Sequence, residues 1–239
     1  GATATVEFTL LNYAATVTDK DGNAVGTYKT FAEAITAASA SEGSTLTLLD
    51  DVTLTKEQNI RSGKFTLDLN GKNLINENGR VLYIYKEADL TIKDSGETGT
   101  LESMNTGSYA IWNYGTLTVE SGNIKGAGGI DNKGTLTFKD GTAEVVTYSA
   151  IYNTGTAYVY DGVLKHAKSH AIGNYGTLYV YDGEIDGIIN DCDAYISGGE
   201  IDCDNYAALN LLGGKLEVTG GSFTGTDLAS GYYSGTPYG

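Results

Sequence analysis

The chain has 239 residues, of which 30 are acidic and 15 basic, so its formal net charge at pH 7 is −15. This balance argues against a nucleic-acid partner, because phosphate binding requires clustered Lys and Arg side chains, and the only arginines are Arg61 and Arg80. The 33 glycines and single proline exclude collagen-like and low-complexity disordered chains, and no apolar run reaches the roughly 20 residues of a membrane-inserted helix.

Residues 1–44 are predicted to form short strands and one helix. The predicted strands lie within residues 6–10 and 15–25, with a turn at Asp21-Gly22-Asn23. Thr30 and Glu33 have the spacing of a capping box, which predicts a helix from this point through Ala38. The apolar stripe of this helix consists of Phe31, Ala34, Ile35 and Ala38. We expect the helix to cover the open end of the repeat that follows, which otherwise exposes strand edges.

A six-residue motif then recurs along the chain: a small or apolar residue, Ile, any residue, Asn, any residue, Gly. The copies are residues 110–115, 129–134, 150–155 and 171–176, with degenerate copies at 188–192 and 209–213. Their anchors, Ile111, Ile130, Ile151, Ile172, Ile188 and Leu209, are 19, 21, 21, 16 and 21 residues apart. A regular period of this length is typical of a solenoid.

Each copy of the motif is followed by an alternating strand, a glycine turn and a third short strand. The alternating strands begin at Leu117, Leu136, Ala157, Leu178, Ala194 and Leu216, and the third strands carry Leu101, Ile124, Ala143, Leu164, Ile185, Ile201 and Phe223. No strand is long enough to stand alone, so each coil buries its apolar residues only by stacking on its neighbours.

The sequence therefore predicts an all-β fold, a right-handed parallel β-helix with three short strands per coil of about 20 residues and an N-terminal capping helix. The handedness follows from parallel crossovers, which are right-handed in about 98% of cases. We expect three parts: residues 1–44 with the strands and capping helix, 45–225 with the β-helix, and 226–239 as a tail or last irregular coil.

The motif asparagines are expected to form a ladder at one turn of the coils. They are Asn113, Asn132, Asn153, Asn174 and Asn190. Asn tolerates left-handed turn conformations, and its amide can bond the amide of the next coil. We interpret this ladder as structural.

Three segments carry a resemblance to a known family: 28–35 (YKTFAEAI), 45–51 (TLTLLDD) and 66–71 (TLDLNG). Together with the Ile-x-Asn-x-Gly-Thr-Leu repeats, they resemble pectate-lyase-like right-handed β-helix domains, which are common in surface proteins of gut and other Gram-positive bacteria. The resemblance implies the fold and an extracellular location. It does not imply one activity, because this fold carries lyases, hydrolases, adhesins and inert stalks. Polysaccharide lyases of this fold usually need a basic residue opposite bound calcium, and the absence of arginine after residue 81 argues against a lyase.

Outward positions of the second strand predict a ligand-binding surface. Alignment of the coils places Tyr158, Tyr160, Tyr179, Tyr181 and Tyr195 side by side across three coils. Sugar rings pack on aromatic faces, and tyrosine hydroxyls can bond sugar hydroxyls. The alternative is that the stacked tyrosines only stabilise the sheet by cross-strand pairing.

Both histidines lie in the segment Lys165-His166-Ala167-Lys168-Ser169-His170, after a third strand. Histidine beside lysine could serve acid–base chemistry or phosphate binding. The interpretation that we favour is an ordinary solvated turn.

Carboxylates cluster in the coils that follow, at Asp182, Asp186, Asp191, Asp193, Asp202 and Asp204. Asp191, Asp193, Asp202 and Asp204 could bind calcium, which prefers oxygen ligands, and paired aspartates could act as the acid and base of a hydrolase. The alternative, solvated turn residues, is the interpretation that we favour. Cys192 and Cys203 could form a disulfide, but we expect free thiols because they lie at different corners of one coil.

These observations predict a non-enzymatic, adhesin-like module of a larger extracellular protein, on a cell surface or secreted. Its expected partner is a glycan or a cell-surface protein, bound through the tyrosine ladder, with no cofactor. A carbohydrate-active enzyme using aspartates of neighbouring coils and a passive structural spacer stay open as alternatives.

Overall fold

The computed structural model, which describes residues 12–226 and 229–231, is a parallel β-helix as the sequence predicts. The strand expected at residues 6–10 and most of the tail lie outside these residues. The first elements are β1 (Ala15–Thr18), β2 (Ala24–Tyr28), α1 (Phe31–Ala40) and β3 (Ser44–Leu48). The next are β4 (Val52–Leu54), β5 (Gln58–Asp68), β6 (Asn73–Asn76), β7 (Leu82–Lys93) and β8 (Thr100–Ser103).

The remaining strands are shorter and follow one another at regular intervals. They are β9 (Tyr109–Asn113), β10 (Thr116–Val119), β11 (Asn123–Gly126), β12 (Gly128–Asn132), β13 (Thr135–Phe138), β14 (Thr142–Val145), β15 (Ile151–Asn153), β16 (Thr156–Val159), β17 (Val163–His166) and β18 (Ile172–Asn174). After these come β19 (Thr177–Val180), β20 (Glu184–Ile185), β21 (Ile188–Asn190), β22 (Asp193–Ile196), β23 (Glu200–Cys203), β24 (Leu209–Leu211), β25 (Leu216–Val218), β26 (Ser222–Gly225) and β27 (Ala229–Gly231).

The N-terminal end is built as expected from a hairpin and a helix. β1 pairs antiparallel with both β2 and β3, and the carboxylate of Asp19 accepts bonds from the backbone N–H groups of Asp21 and Asn23 in the turn. Thr30 Oγ1 accepts from the Glu33 N–H at 3.3 Å, and the Glu33 carboxylate accepts from the Thr30 N–H at 3.2 Å. This confirms the capping box.

Helix α1 covers the first coil of the solenoid. Its four predicted apolar residues, Phe31, Ala34, Ile35 and Ala38, are all buried. The helix packs against β1, β2, β3 and β5, and it ends at Ala40, two residues beyond the predicted end at Ala38. The helix therefore closes the core at this end, and the outer edge of β3 is paired with β1.

From β9 onward, each coil contributes three strands to three parallel lines. The first line contains β9, β12, β15, β18, β21, β24 and β27; the second contains β10, β13, β16, β19, β22 and β25. The third line is a nine-stranded sheet from β4 to β26. Its inward residues are in register in successive strands, from Leu101 to Phe223, as the sequence predicts.

The corner between the first and second lines is held by a buried asparagine ladder. Each side-chain amide donates to the carbonyl oxygen of the next asparagine: Asn113 to Asn132 at 2.7 Å, Asn132 to Asn153 at 2.8 Å, Asn153 to Asn174 at 2.8 Å and Asn174 to Asn190 at 2.7 Å. All five side chains are fully buried. The predicted structural ladder is confirmed, and its geometry satisfies amides that would be costly to bury alone.

Glycine completes this corner because the coils approach closely there. A Cβ atom on Gly155 would overlap the carbonyl oxygen of Gly134 in the preceding coil. Any other residue would push the coils apart, which explains the Asn-x-Gly spacing of the motif.

The first coils lack the asparagine corner. Ile84 is in register with Asn113, and Ile60 is in register with Ile84. At these positions β5 and β7 continue as single strands of 11 and 12 residues that supply both lines. These two coils therefore run straight through the position at which later coils turn, whereas at β24 Leu211 is in register with Asn190 and residues 212–215 still separate it from β25.

Candidate ligand-binding surfaces

The five predicted tyrosines lie together on the solvent side of β16, β19 and β22 and the turns that follow. They are Tyr158, Tyr160, Tyr179, Tyr181 and Tyr195, and we refer to them as the tyrosine face. Tyr158, Tyr179 and Tyr195 are in register on successive strands. Their ring centroids are 5.0 Å apart at both steps, with interplanar angles of 9° and 12°. Tyr160 and Tyr181 form a second stacked pair at 4.6 Å. The predicted alignment is confirmed.

Stacking decides which parts of these rings remain open. Tyr179 has Tyr158 on one face and Tyr195 on the other, and the Lys215 ammonium lies 4.7 Å from the Tyr195 ring. For Tyr179, the ring edge and hydroxyl group are therefore the parts left to face solvent, and both ring faces are closed to a sugar. Tyr158, Tyr160 and Tyr181 each stack on a tyrosine through one face only.

Tyr160 and Tyr181 are the most exposed members of the tyrosine face, at 46% and 41%. Desolvation and the neighbouring phenols raise the pKa of Tyr181 above its ordinary value of 10.0. Its hydroxyl is therefore protonated at neutral pH and can both donate and accept hydrogen bonds. A ligand on this surface meets a row of such hydroxyls, spaced by the distance between coils.

The same strand line has a different surface in the preceding coils. Threonines occupy the position of Tyr158: they are Thr66, Thr91, Thr118 and Thr137, all in register. At the position of Tyr160, oppositely charged residues alternate, with Lys93 bonded to Asp68 at 3.3 Å and Lys139 to Glu120 at 2.9 Å. We call these coils the threonine half.

The two histidines lie beside a notch in the solenoid. Five residues connect β17 to β18 and five connect β23 to β24, whereas only Asp186 and Gly187 connect β20 to β21. This shortened connection explains why the anchors Ile172 and Ile188 are only 16 residues apart. A cavity of about 120 Å³ lies beside it. His170 bridges the notch, donating from Nε2 to the carbonyl oxygen of Ala207 at 2.9 Å.

The interpretation of this segment as a solvated turn is wrong for both histidines. His166 is 9% exposed and His170 is 4% exposed. His166 Nδ1 accepts bonds from the N–H groups of Lys168 and Ser169, so it fixes the conformation of its own loop. Burial lowers the pKa of His170, which keeps it neutral at pH 7. Both rings therefore serve packing and loop geometry.

A carboxylate lies beside the histidines, and its position could not be predicted from the sequence. Asp186 accepts a bond from the His166 N–H at 2.9 Å, and burial raises the pKa of its carboxyl group. Asp202, Asp204 and Cys203 also line the cavity.

The four aspartates considered for calcium do not lie at one place. Asp191 and Asp193 flank the corner between β21 and β22, whereas Asp202 lies on β23 and Asp204 follows it. Within residues 12–226, no group of three or more His, Cys, Asp or Glu side chains could hold a metal ion. Cys192 and Cys203 are free thiols, the first exposed and the second buried.

A second aromatic cluster lies on the first strand line and was missed by sequence reasoning. It consists of Arg61, Arg80, Tyr83, Tyr85, Trp112, Tyr114 and Lys133, and we call it the Trp112 cluster. The guanidinium of Arg80 lies 3.8 Å from the Trp112 ring centre, and the Lys133 ammonium lies 4.5 Å from it. One signal pointed to it: both arginines and the sole tryptophan of the chain belong to this cluster.

No helix in the described part of the chain has the length and apolar character needed to cross a membrane. Comparison of the sequence and the structure with protein-family models, curated proteins and solved structures found no match.

Proposed function

We propose that this chain is a ligand-binding module of an extracellular, adhesin-like bacterial surface protein, and that the tyrosine face contacts a glycan. The observation that carries the proposal is the contrast with the threonine half. Strands β10 and β13 have the same length and register as β16 and β19, although they carry threonine at the position of the tyrosines. The fold therefore does not require tyrosine there.

Exposure of these side chains supports a role in contacts with another molecule. A position that packing leaves free is filled by a large, amphipathic residue on three successive coils. Tyrosine provides contact area at low cost in side-chain entropy, together with a hydroxyl for hydrogen bonds. The open hydroxyls and ring edges suit a partner that presents many hydroxyl groups, which is the chemistry of a glycan.

The extracellular location rests on the resemblance of residues 28–71 and the Asn-x-Gly repeats to β-helix domains of bacterial surface proteins. Solenoids of this kind present extended flat faces along their axis, which suits a polymeric ligand.

A glycan array tests the proposal, with the wild type compared with the triple variant Tyr158→Thr/Tyr179→Thr/Tyr195→Thr. This variant gives the central row of the tyrosine face the threonines of the threonine half. The matched control is Thr91→Ser/Thr118→Ser/Thr137→Ser, which changes three residues of the same strand line. We expect the wild type and the control to bind a common set of glycans and the triple variant to lose them.

Failure of the folded wild type to bind any glycan would remove this ligand class and favour a protein ligand or a passive spacer. Retention of binding by the triple variant would exclude Tyr158, Tyr179 and Tyr195, and its retention after the further changes Tyr160→Thr/Tyr181→Thr would move the site away from the tyrosine face. Circular dichroism and a thermal melt establish that each variant is folded.

A further inference from the structure

The Trp112 cluster is a second surface, distinct from the tyrosine face in position and charge. Its residues lie on β5, β7 and β9, in the turn before β7 that carries Arg80, and at the corners that follow β9 and β12. From β5 to β12 there are three steps between paired strands, which corresponds to about 14 Å along the solenoid axis.

The aromatic rings of this cluster contact one another and the neighbouring cations. Tyr83 and Tyr114 stack with centroids 5.3 Å apart and an interplanar angle of 7°. Trp112 is contacted by the Arg80 guanidinium and the Lys133 ammonium. Because the edge of an aromatic ring carries partial positive charge, exposed ring edges and cations together present a surface that attracts anions. A sugar ring that stacks on Trp112 would compete with these two cations for the aromatic ring.

The cations of the cluster are only partly neutralised. Arg80 pairs with Glu57 at 2.8 Å, and Lys133 pairs with Asp131 at 3.1 Å. Arg61 has no ion-pair partner among residues 12–226, and its guanidinium lies 4.7 Å from the centre of the Tyr85 ring. Stacking holds a guanidinium in place while leaving its in-plane N–H groups available to a carboxylate. Several lysines also lack an ion pair among these residues, but Arg61 is the one unpaired cation there that lies over an aromatic ring.

We infer that the Trp112 cluster docks an acidic peptide segment of a partner protein, with Asp or Glu side chains engaging Arg61 and its neighbours. Arg, Trp and Tyr are the residue types most enriched at the energetic centres of protein interfaces. About five residues of extended peptide span the distance from Arg61 to Lys133. The inference does not depend on glycan binding by the tyrosine face.

The single tryptophan provides a direct reporter, because all tryptophan fluorescence of the chain comes from Trp112. A hexaglutamate peptide titrated into the wild type should change this fluorescence saturably, and added salt should weaken the binding. Arg61→Gln should weaken it about tenfold, through loss of the charge-assisted contact. Lys139→Gln, which removes one charge from the threonine half, is the matched control and should bind as the wild type does.

Absence of a saturable change in the wild type would overturn the inference, as would equal affinity of the folded Arg61→Gln variant. Binding of a uronic-acid oligosaccharide but not of hexaglutamate would assign the surface to an acidic glycan instead. A fluorescence change with protein concentration alone, accompanied by dimers in sedimentation, would assign it to a second copy of the chain.

Discussion

The asparagine ladder and the tyrosine ladder run along neighbouring parts of this solenoid. They differ in what happens to the backbone in coils where another residue takes their place. Where Ile60 and Ile84 stand in place of the corner asparagine, the corner disappears and the strand runs on. Where Thr118 and Thr137 stand in place of tyrosine, the strand keeps its length and register. Leu211 also stands in register with Asn190, and there four residues instead of two separate the strands. The asparagines therefore stabilise the tight two-residue corner, whereas the tyrosines change neither the length nor the register of their strands.

The largest expected effect on stability is at the centre of the asparagine ladder. Asn153→Ala removes the acceptor of Asn132 and the donors to Asn174 and to the Thr177 carbonyl. Because these groups stay buried without partners, we expect the free energy of unfolding to fall by about 3 kcal/mol. Urea denaturation measures it. A loss no larger than that of Tyr179→Thr, at a half-buried position of the other ladder, would contradict the distinction between the two ladders.

A smaller loss of stability is expected at His170, whose side chain lies beside the shortened connection between β20 and β21. His170→Ala removes the bond to Ala207 and leaves a gap in the notch, so the free energy of unfolding should fall by about 2 kcal/mol. Lys168→Ala, in the same loop, is the control and should have little effect. Equal stability of His170→Ala and wild type would mean that the bridge across the notch contributes nothing.

The pH dependence of stability tests whether His170 is buried in its neutral form. The expected effect on the free energy of unfolding is below about 1 kcal/mol. Burial lowers the pKa of His170 from its ordinary value of 6.5, so between the lowered pKa and 6.5 the unfolded chain binds more protons than the folded one. This contribution to stability is fully present above the unfolded pKa and decreases as the pH falls through that window. In urea denaturation at pH 7.5 and 5.5, His170→Gln should lose less stability on acidification than the wild type. Parallel pH profiles would contradict the buried neutral state.

The two cysteines give the smallest effect, a difference in reactivity without a change in stability. Cys192 is exposed and Cys203 is buried, and burial raises the pKa of the Cys203 thiol. A thiol reagent should therefore modify Cys192 in the folded protein and Cys203 only after unfolding. Mass spectrometry of the labelled chain distinguishes the two, and rapid labelling of Cys203 in the folded state would show that its coil opens.

Period and alternation were sufficient to predict the parts of the fold that repeat. The anchors from Ile111 to Leu209 placed the coils in register, and that register aligned both the asparagines and the tyrosines correctly. Thr30 and Glu33 placed the helix, because a capping box is a local signal. These features depend on neighbours in sequence or on a constant spacing.

Features without a repeat could not be predicted in the same way. Arg61, Arg80 and Trp112 meet because β5, β7 and β9 pair, but the first coils lack the asparagine motif by which coils were aligned. The 16-residue spacing was visible, yet the burial of His166 and His170 follows only from the loops on either side of it. The orientation of the tyrosine rings could not be predicted either. The strand register determines which tyrosines are neighbours, but it does not determine that their ring faces stack.

The central claim is that the tyrosine face is not needed for the fold. It is tested most directly by the free energy of unfolding of the variant Tyr158→Thr/Tyr179→Thr/Tyr195→Thr. The account predicts a folded protein that loses only about 1–2 kcal/mol in urea denaturation, because threonine pairs across strands as it does in the preceding coils. A variant that fails to fold, or that loses clearly more than Asn153→Ala, would show that the tyrosines hold the solenoid together. The argument that they are free to serve a ligand would then be contradicted.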